Sequence, residues 1–440
     1  MNKRTLIIVS IAILILILGG VGAYFYFSQK PSVAPEETPG FPNDGGTPLP
    51  PREGGDVEPP SPPGSGMKLP RLYELHKTPV AGVGFAEIGT KSDRSMFARY
   101  IERGVGHIFE TNLGTFMENR ISNNTHPGIA EAFFGNKGNS VIIRFLDDKD
   151  GSAIKTRVQN LNAPILSFAN SDESAGGSPS LATEEVYLPD YIPHMAIAED
   201  GADKLFYLEN SASAARGTTA NTKGLGTSII FNSVFTEWLP QFPSQKLITL
   251  TTKPSGDVPG YFFFLDPKTK TLSRILGNIN GLTTLTNHTG NMVLYSDTTT
   301  KEPVLSLYDT TKKEFRSTPL KTLPEKCVWG NITVTIAYCA VPEQIPQGLY
   351  PDQWYQGVIS FSDSVWKIDT KTGVVEKVFT PKIFNGHEMD ITNLALSSDD
   401  TYLVFINKKS STPWVFNLVK AADDTGIPPV SSEGSIPSIF

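Results

Sequence analysis

The ten residues GLYPDQWYQG, 348–357, gather Tyr350, Trp354 and Tyr355 around Asp352 and between two glycines. These are the residue types of a recognition surface, since Trp and Tyr bury large areas while freezing few rotamers. A structural reading fits the same residues: the loop folds back, caps a blade or plugs a channel, and buries its own aromatics. Both readings stand at this level, and Tyr350, Asp352, Trp354 and Tyr355 are the candidate partner-binding residues. Cys327 and Cys339 are the only cysteines. On neighbouring antiparallel strands outside the cytoplasm they fit a disulfide staple, provided their Cα atoms lie within about 7 Å. Two buried thiols are the alternative.

Catalytic patterns fail on spacing. There is no G-x-S-x-G elbow. GVGFAE, 82–87, lacks the third glycine and the following helix of a phosphate-binding turn. HEMDI, from His387, has no second histidine four residues on. The six histidines are scattered, so no metal site is expected. DDKDG, 147–151, sets carboxylates beside a glycine, but Leu146 stands where a calcium loop supplies its first ligand, so it reads as a turn. No cofactor is called for. A pair of carboxylates acting on glycans leaves no signature when its members come from distant segments.

What must position these residues is legible in the organisation of the chain. The 440 residues carry a formal net charge of −7 and no basic block beyond the first few positions. That argues against nucleic acid as a partner, because phosphate binding needs clustered Lys and Arg. Lys3 and Arg4 precede an uncharged apolar run, 6–27. As a helix it is about 33 Å long, enough for a bilayer core of roughly 30 Å. Residues 1–30 are therefore expected to be an uncleaved transmembrane anchor, N-terminus cytoplasmic and body outside. A cleaved signal peptide is the alternative. Residues 31–68, rich in Pro and Gly, read as a disordered linker, and 421–440 as a disordered tail.

Between them, 69–420 reads as all-β, with short Val, Ile, Tyr, Phe and Thr runs between Gly, Asp, Asn and Pro turns. One hairpin type recurs as TNLALSS/YLVFINK, HMAIAED/KLFYLEN, IAEAFFG/SVIIRFL and LTTLTNH/MVLYSDT. A second recurs as YFFFLDPKTKTLSRIL, PVLSLYDTTKKEFRSTPL and SVWKIDTKTGVVEKVF, whose first strand ends in an Asp able to hold the following turn. Together they make a four-stranded unit, A-B-C-D. Taking Phe97, Val141, Leu205, Leu247, Val293, Val334 and Leu403 as B-strand markers, the separations are 44, 64, 42, 46, 41 and 69. Two insertions account for the long gaps, leaving a period of about 40–45, the length of a propeller blade. A seven-bladed β-propeller of four-stranded blades follows. The seventh unit lacks its fourth strand, and residues 71–76 are expected to supply it and close the ring.

NLALSSDDTYLVFIN and MAIAEDGADKLFYLEN resemble the inner hairpins of TolB-like propellers, relatives of the WD-repeat class. The resemblance covers most of 69–420, without Gly-His or Trp-Asp signatures. It implies an extracytoplasmic propeller that binds partners and transfers no catalytic residue. The expected function is that of a membrane-tethered, non-catalytic module of the cell envelope, binding an envelope protein or assisting assembly. The alternative is a glycan-binding protein or glycan-active enzyme using the insertion-rich face.

Overall fold

A computed structural model describes residues 70–90, 93–122, 124–147, 154–161, 185–299 and 301–419. The expected anchor, linker and C-terminal tail lie outside the described residues, as do most of DDKDG and the insertion of blade two. Among the described residues no helix is long and apolar enough to cross a membrane.

Seven four-stranded antiparallel sheets follow one another along the chain. Their inner strands touch in succession around the axis, as Val80–Thr90 meets Ile129–Gly135 and Met195–Ile197 meets Trp238–Ser244. The protein is thus a seven-bladed β-propeller. The B strands explain why hydrophobicity runs rather than alternates: a blade is covered on both faces by its neighbours, so both faces of a strand are apolar. In Ser140–Leu146, Val141, Ile142 and Ile143 are all essentially inaccessible. Some outer strands are short, and in blade one all three residues of Glu118–Arg120 are polar and exposed, which blunts that sheet edge.

Inner strands crowd one another at the axis, and glycine makes room for the closest approach. A Cβ on Gly82 would sit 2.0 Å from the carbonyl oxygen of Ala132 in the next blade. Substitution there has no flexible atom to displace.

The recurring Asp of the C–D hairpins performs its expected task. Asp266 Oδ1 accepts from the amides of Lys268 and Thr269 (2.7 and 3.0 Å), Asp309 from Thr311 and Lys312 (3.0 and 2.9 Å), and Asp369 from Lys371 and Thr372 (2.9 and 3.3 Å). Asn112 does the same in blade one, toward Gly114 and Thr115 (2.8 and 3.2 Å).

Closure is made by Leu72–Glu74, which pairs antiparallel with Thr412–Asn417: Leu72 faces Phe416, Tyr73 faces Val415 and Glu74 faces Trp414. Leu72 packs into a core with Phe379, Phe405 and Phe416. Phe379 and Phe416 stack at 3.7 Å between centroids. Two details differ from the sequence reading. Val334 precedes its B strand, which runs Ile336–Pro342, because Thr333–Thr335 turns the chain. Residues 215–233, which belong to none of the hairpins quoted from the sequence, form regular C and D strands, Ala215–Ala220 and Ser228–Ser233, and the Thr and Gly content of the first hides it from a hydrophobicity pattern.

Candidate functional site

In an A-B-C-D propeller the B–C and D–A connections share one face. Most B–C connections here are turns. In blade six the chain leaves Ile336–Pro342 and returns only at Asp363–Asp369, and the intervening residues hold GLYPDQWYQG. They build a lid. Its centre is one helical turn, Asp352–Tyr355, and Gly357 leaves it at φ 75°, a backbone conformation that favours glycine.

The lid is seated at both ends. Toward blade four, Asp352 Oδ2 accepts from the amide of Gly256 at 2.8 Å. A Cβ on Gly256 would meet Leu349 Cδ1 at 2.6 Å and the Tyr350 carbonyl oxygen at 2.7 Å, so lid and turn are in direct contact. Beneath, Tyr350, Trp354, Ile359 and Phe361 pack with Leu323 in a small core of their own. Tyr350 is 1% exposed and its hydroxyl donates to the Pro346 carbonyl at 2.6 Å. Burial, with the charge of Glu302 nearby, pushes its phenol up to about 12. Trp354 is 5% exposed, whereas Tyr355 remains 41% exposed. Of the four residues singled out by sequence, two therefore turn inward, Asp352 fixes the lid, and Tyr355 leaves part of its ring exposed while its hydroxyl points back to Glu325.

Under the Trp354 ring lies a charged cluster that the sequence reading did not pick out. Lys326, Asp363 and Asp390 have fully buried side chains. Lys326 Nζ donates to Asp363 Oδ2 (2.8 Å), Asp390 Oδ1 (2.6 Å) and the Ile391 carbonyl (2.8 Å). It also lies 5.1 Å from the centroids of both Trp354 and Phe361. Asp390 is the hub, because its Oδ2 accepts from Trp354 Nε1 (3.1 Å), Ser360 Oγ (3.2 Å) and the Phe361 amide (3.1 Å). Asp363 Oδ2 also accepts from the Ile391 amide at 2.6 Å, while its Oδ1 has no partner among the described residues. Burial raises the Asp363 carboxyl to about 6, with the Asp390 charge adding to the rise and Lys326 opposing it.

Two connections deliver this cluster. Residues 318–326, entering blade six, bring Lys326, and residues 380–390, entering blade seven, bring Asp390. The segment PKIFNGHEMD, 381–390, thus meets the aromatic loop through the Trp354–Asp390 contact. The sequence signal that was missed is a Lys, beside Glu325, in the otherwise apolar LPEKCVW, together with Asp363 at the end of the long insertion and Asp390 at the end of PKIFNGHEMD.

The Tyr355 hydroxyl donates to Glu325 Oε1, and Thr283 Oγ1 donates to Glu325 Oε2 at 2.8 Å. Burial raises the Glu325 carboxyl, and burial together with Glu325 raises the Tyr355 phenol. Lys408, from the B–C turn of blade seven, donates to the Trp354 carbonyl and lies 4.0 Å from the centroid of that ring. Burial lowers its ammonium.

Cys327 and Cys339 are direct Cα partners on the first two strands of blade six. Their Cα atoms are 4.0 Å apart and their sulfurs are bonded. Among the described residues no group of three His, Cys, Asp or Glu is placed to hold a metal ion.

The opposite face carries a cavity of about 680 Å³, lined by Asp200, Lys246, Leu247, Phe264, His288 and Gly290. Asp200 is already committed there, accepting from the amides of Gln245 (2.9 Å) and Ala202 (3.1 Å).

No protein-family model and no curated protein matches the sequence. Solved structures are similar at the level of a distant fold. An oligogalacturonate lyase in complex with manganese has 10% identity and a TM-score of 0.48, covering 78% of this chain and 98% of that one. The tricorn protease has 11% identity and a TM-score of 0.46, covering 80% of this chain and 34% of that one. TolB from Acinetobacter baumannii has 10% identity and a TM-score of 0.37, covering 76% and 79% respectively.

Proposed function

We propose that the protein is a membrane-tethered, extracytoplasmic propeller that binds a protein partner of the cell envelope through its lid face, without catalysing a reaction. The observation that carries this reading is the two-sided lid. Tyr350 and Trp354 anchor it inward, while Tyr355 and Val358, 41% and 69% exposed, stand outward on a fixed base. Ile383 and Phe384, 67% and 43% exposed, belong to the helix Pro381–Asn385 on the same face. A rigid base lowers the ordering cost of binding, and exposed Tyr beside aliphatics is the composition of a contact hot spot. The apolar run and Pro/Gly linker supply the tether.

The test is crosslinking in native envelopes with wild type, a Tyr355→Ala/Val358→Asp variant, and an Ile332→Asp control on the opposite face. One protein adduct, lost with the lid variant and kept with the control, supports the reading. Equal recovery with all three overturns it. Retention of the lid face on cell-wall glycan, with no protein adduct, favours the glycan alternative instead.

A further inference from the structure

The buried cluster under the lid has the components of an amide-forming reaction. A primary amine, a carboxyl group and a second carboxylate meet in one water-poor pocket: Lys326 Nζ lies 2.8 Å from Asp363 Oδ2 and 2.6 Å from Asp390 Oδ1. For an ordinary hydrogen-bond angle, 2.8 Å to the oxygen puts Nζ about 3.5 Å from the Asp363 carbonyl carbon, the range of a near-attack arrangement. We propose that Lys326 and Asp363 condense within the folded chain to an intramolecular isopeptide bond, with Asp390 as the catalytic acid–base.

The atoms balance without a co-reactant. A proton passes from the Lys326 ammonium to the Asp363 carboxylate, giving an amine and a carboxylic acid that carries its hydroxyl on Oδ1 when the amine attacks. Such a neutral pair is favoured over separated charges in a pocket that water does not reach. The amine lone pair attacks Cγ, and the negative charge gathers on Oδ2, where the Ile391 amide already donates at 2.6 Å. Asp390 takes a proton from the attacking nitrogen and hands it to the Oδ1 hydroxyl. The Cγ–Oδ1 bond breaks, one water leaves, the Cγ=Oδ2 bond re-forms, and Asp390 is again a carboxylate.

Three features of the cluster fit this sequence and have no role in a simple ion pair. Asp363 Oδ1, the oxygen that leaves, is the one with no hydrogen-bond partner among the described residues. The product amide is satisfied in place, since Oδ2 keeps the Ile391 amide and the new N–H faces the Ile391 carbonyl, 2.8 Å from Nζ, and Asp390 Oδ1. Asp363 is also the carboxyl raised by its burial, which favours the acid form that the attack requires. The Trp354 and Phe361 rings cover the pocket and keep out the water that would reverse the step. The bond would join two positions 37 residues apart and enclose the whole lid and the disulfide.

The test is a tryptic digest of the full-length protein, unfolded and reduced, read by mass spectrometry. An amidated lysine is not cut by trypsin. The expected product is a single peptide spanning 322–367, uncleaved at Lys326, with a mass about 18 Da below its linear sequence, one water. Recovery of separate linear peptides 322–326 and 327–367 overturns the proposal, and needs no variant that must fold. A succinimide at Asp363 gives the same mass change but leaves Lys326 cleavable, so it counts against the bond. Asp390→Asn should yield the two linear peptides; a joined peptide from that variant overturns the role of Asp390.

Discussion

Removing the Trp354 side chain should open the lid without unfolding the ring. The indole is 5% exposed, packs with Phe361 at 6.1 Å and Tyr355 at 5.7 Å between centroids, and donates to Asp390. Truncating a buried Trp costs about 3–5 kcal/mol. That cost falls on a satellite core of five buried residues, distinct from the inter-blade cores that hold the propeller. It therefore acts on the local opening equilibrium, which it should shift by roughly two to three and a half powers of ten at 1.4 kcal/mol per factor of ten. Hydrogen exchange reads this directly. In Trp354→Ala the amides of Gln353, Tyr355 and Val358, which bond within the lid, should lose protection by that amount. Those of Ile142 and Leu294 in the B strands should not change. Two results refute the reasoning: a large fall in global melting temperature with no selective loss in the lid, or unchanged exchange throughout. The outcome also matters for mapping partners, since a Trp354 variant disturbs the lid itself and only outward residues report on docking.

Two further outcomes follow from blade six. Because burial raises the Glu325 carboxyl in the folded protein, the folded state holds its proton more tightly than the unfolded chain. Its stabilising contribution is full below the ordinary glutamate range and is lost as pH rises above it; melting temperatures of wild type should fall across that interval more steeply than those of Glu325→Gln, and parallel curves would contradict this. The Cys327–Cys339 bond closes a loop of sequence separation 12. Replacing both cysteines by Ser should lower unfolding free energy by about 2–3 kcal/mol in denaturant titrations; reductant should bring wild type to the same value, and a wild type indifferent to reductant would mean the thiols are free.

The ring was legible because its information is local and repeated. The blades restate the same strand-and-turn unit, three of them with an Asp-held hairpin, and the period survives where that mark is absent. The closing strand was legible for a different reason: a unit missing its fourth strand at one end and an extra strand at the other have one economical solution. The lid was visible as an anomaly of composition, yet which of its aromatics turn inward was not. That depends on Asp390, which lies 36 residues from Trp354 in the chain and reaches it only because consecutive blades bring a B–C and a D–A connection to the same face. The partnership of Lys326 with Asp363 and Asp390 was hidden for the same reason. Three charged residues, two on separate connections and one at the start of a strand, carry no spacing pattern, and only their shared burial marks them as a unit.

Blade six is reinforced beyond what ring closure requires. It carries the disulfide, the buried Lys–Asp–Asp cluster and the lid. Stability of the ring alone does not explain the concentration: blades one and two also pair buried arginines, Arg99 with Glu110 and Arg157 with Glu185, but among the described blades only blade six adds a disulfide and a long B–C connection to its buried charges. The reinforcements share one geometric effect: they fix the lid's base on either side of a span that would otherwise be a long free loop. A long loop that merely connected two strands would need no such base. A loop that must present Tyr355 and Val358 in one orientation does, since each side chain immobilised beforehand is ordering entropy that binding no longer has to supply. The same reasoning makes the lid's inner and outer residues separable. Substitutions inside should alter how often the surface exists, and substitutions outside should alter what it holds.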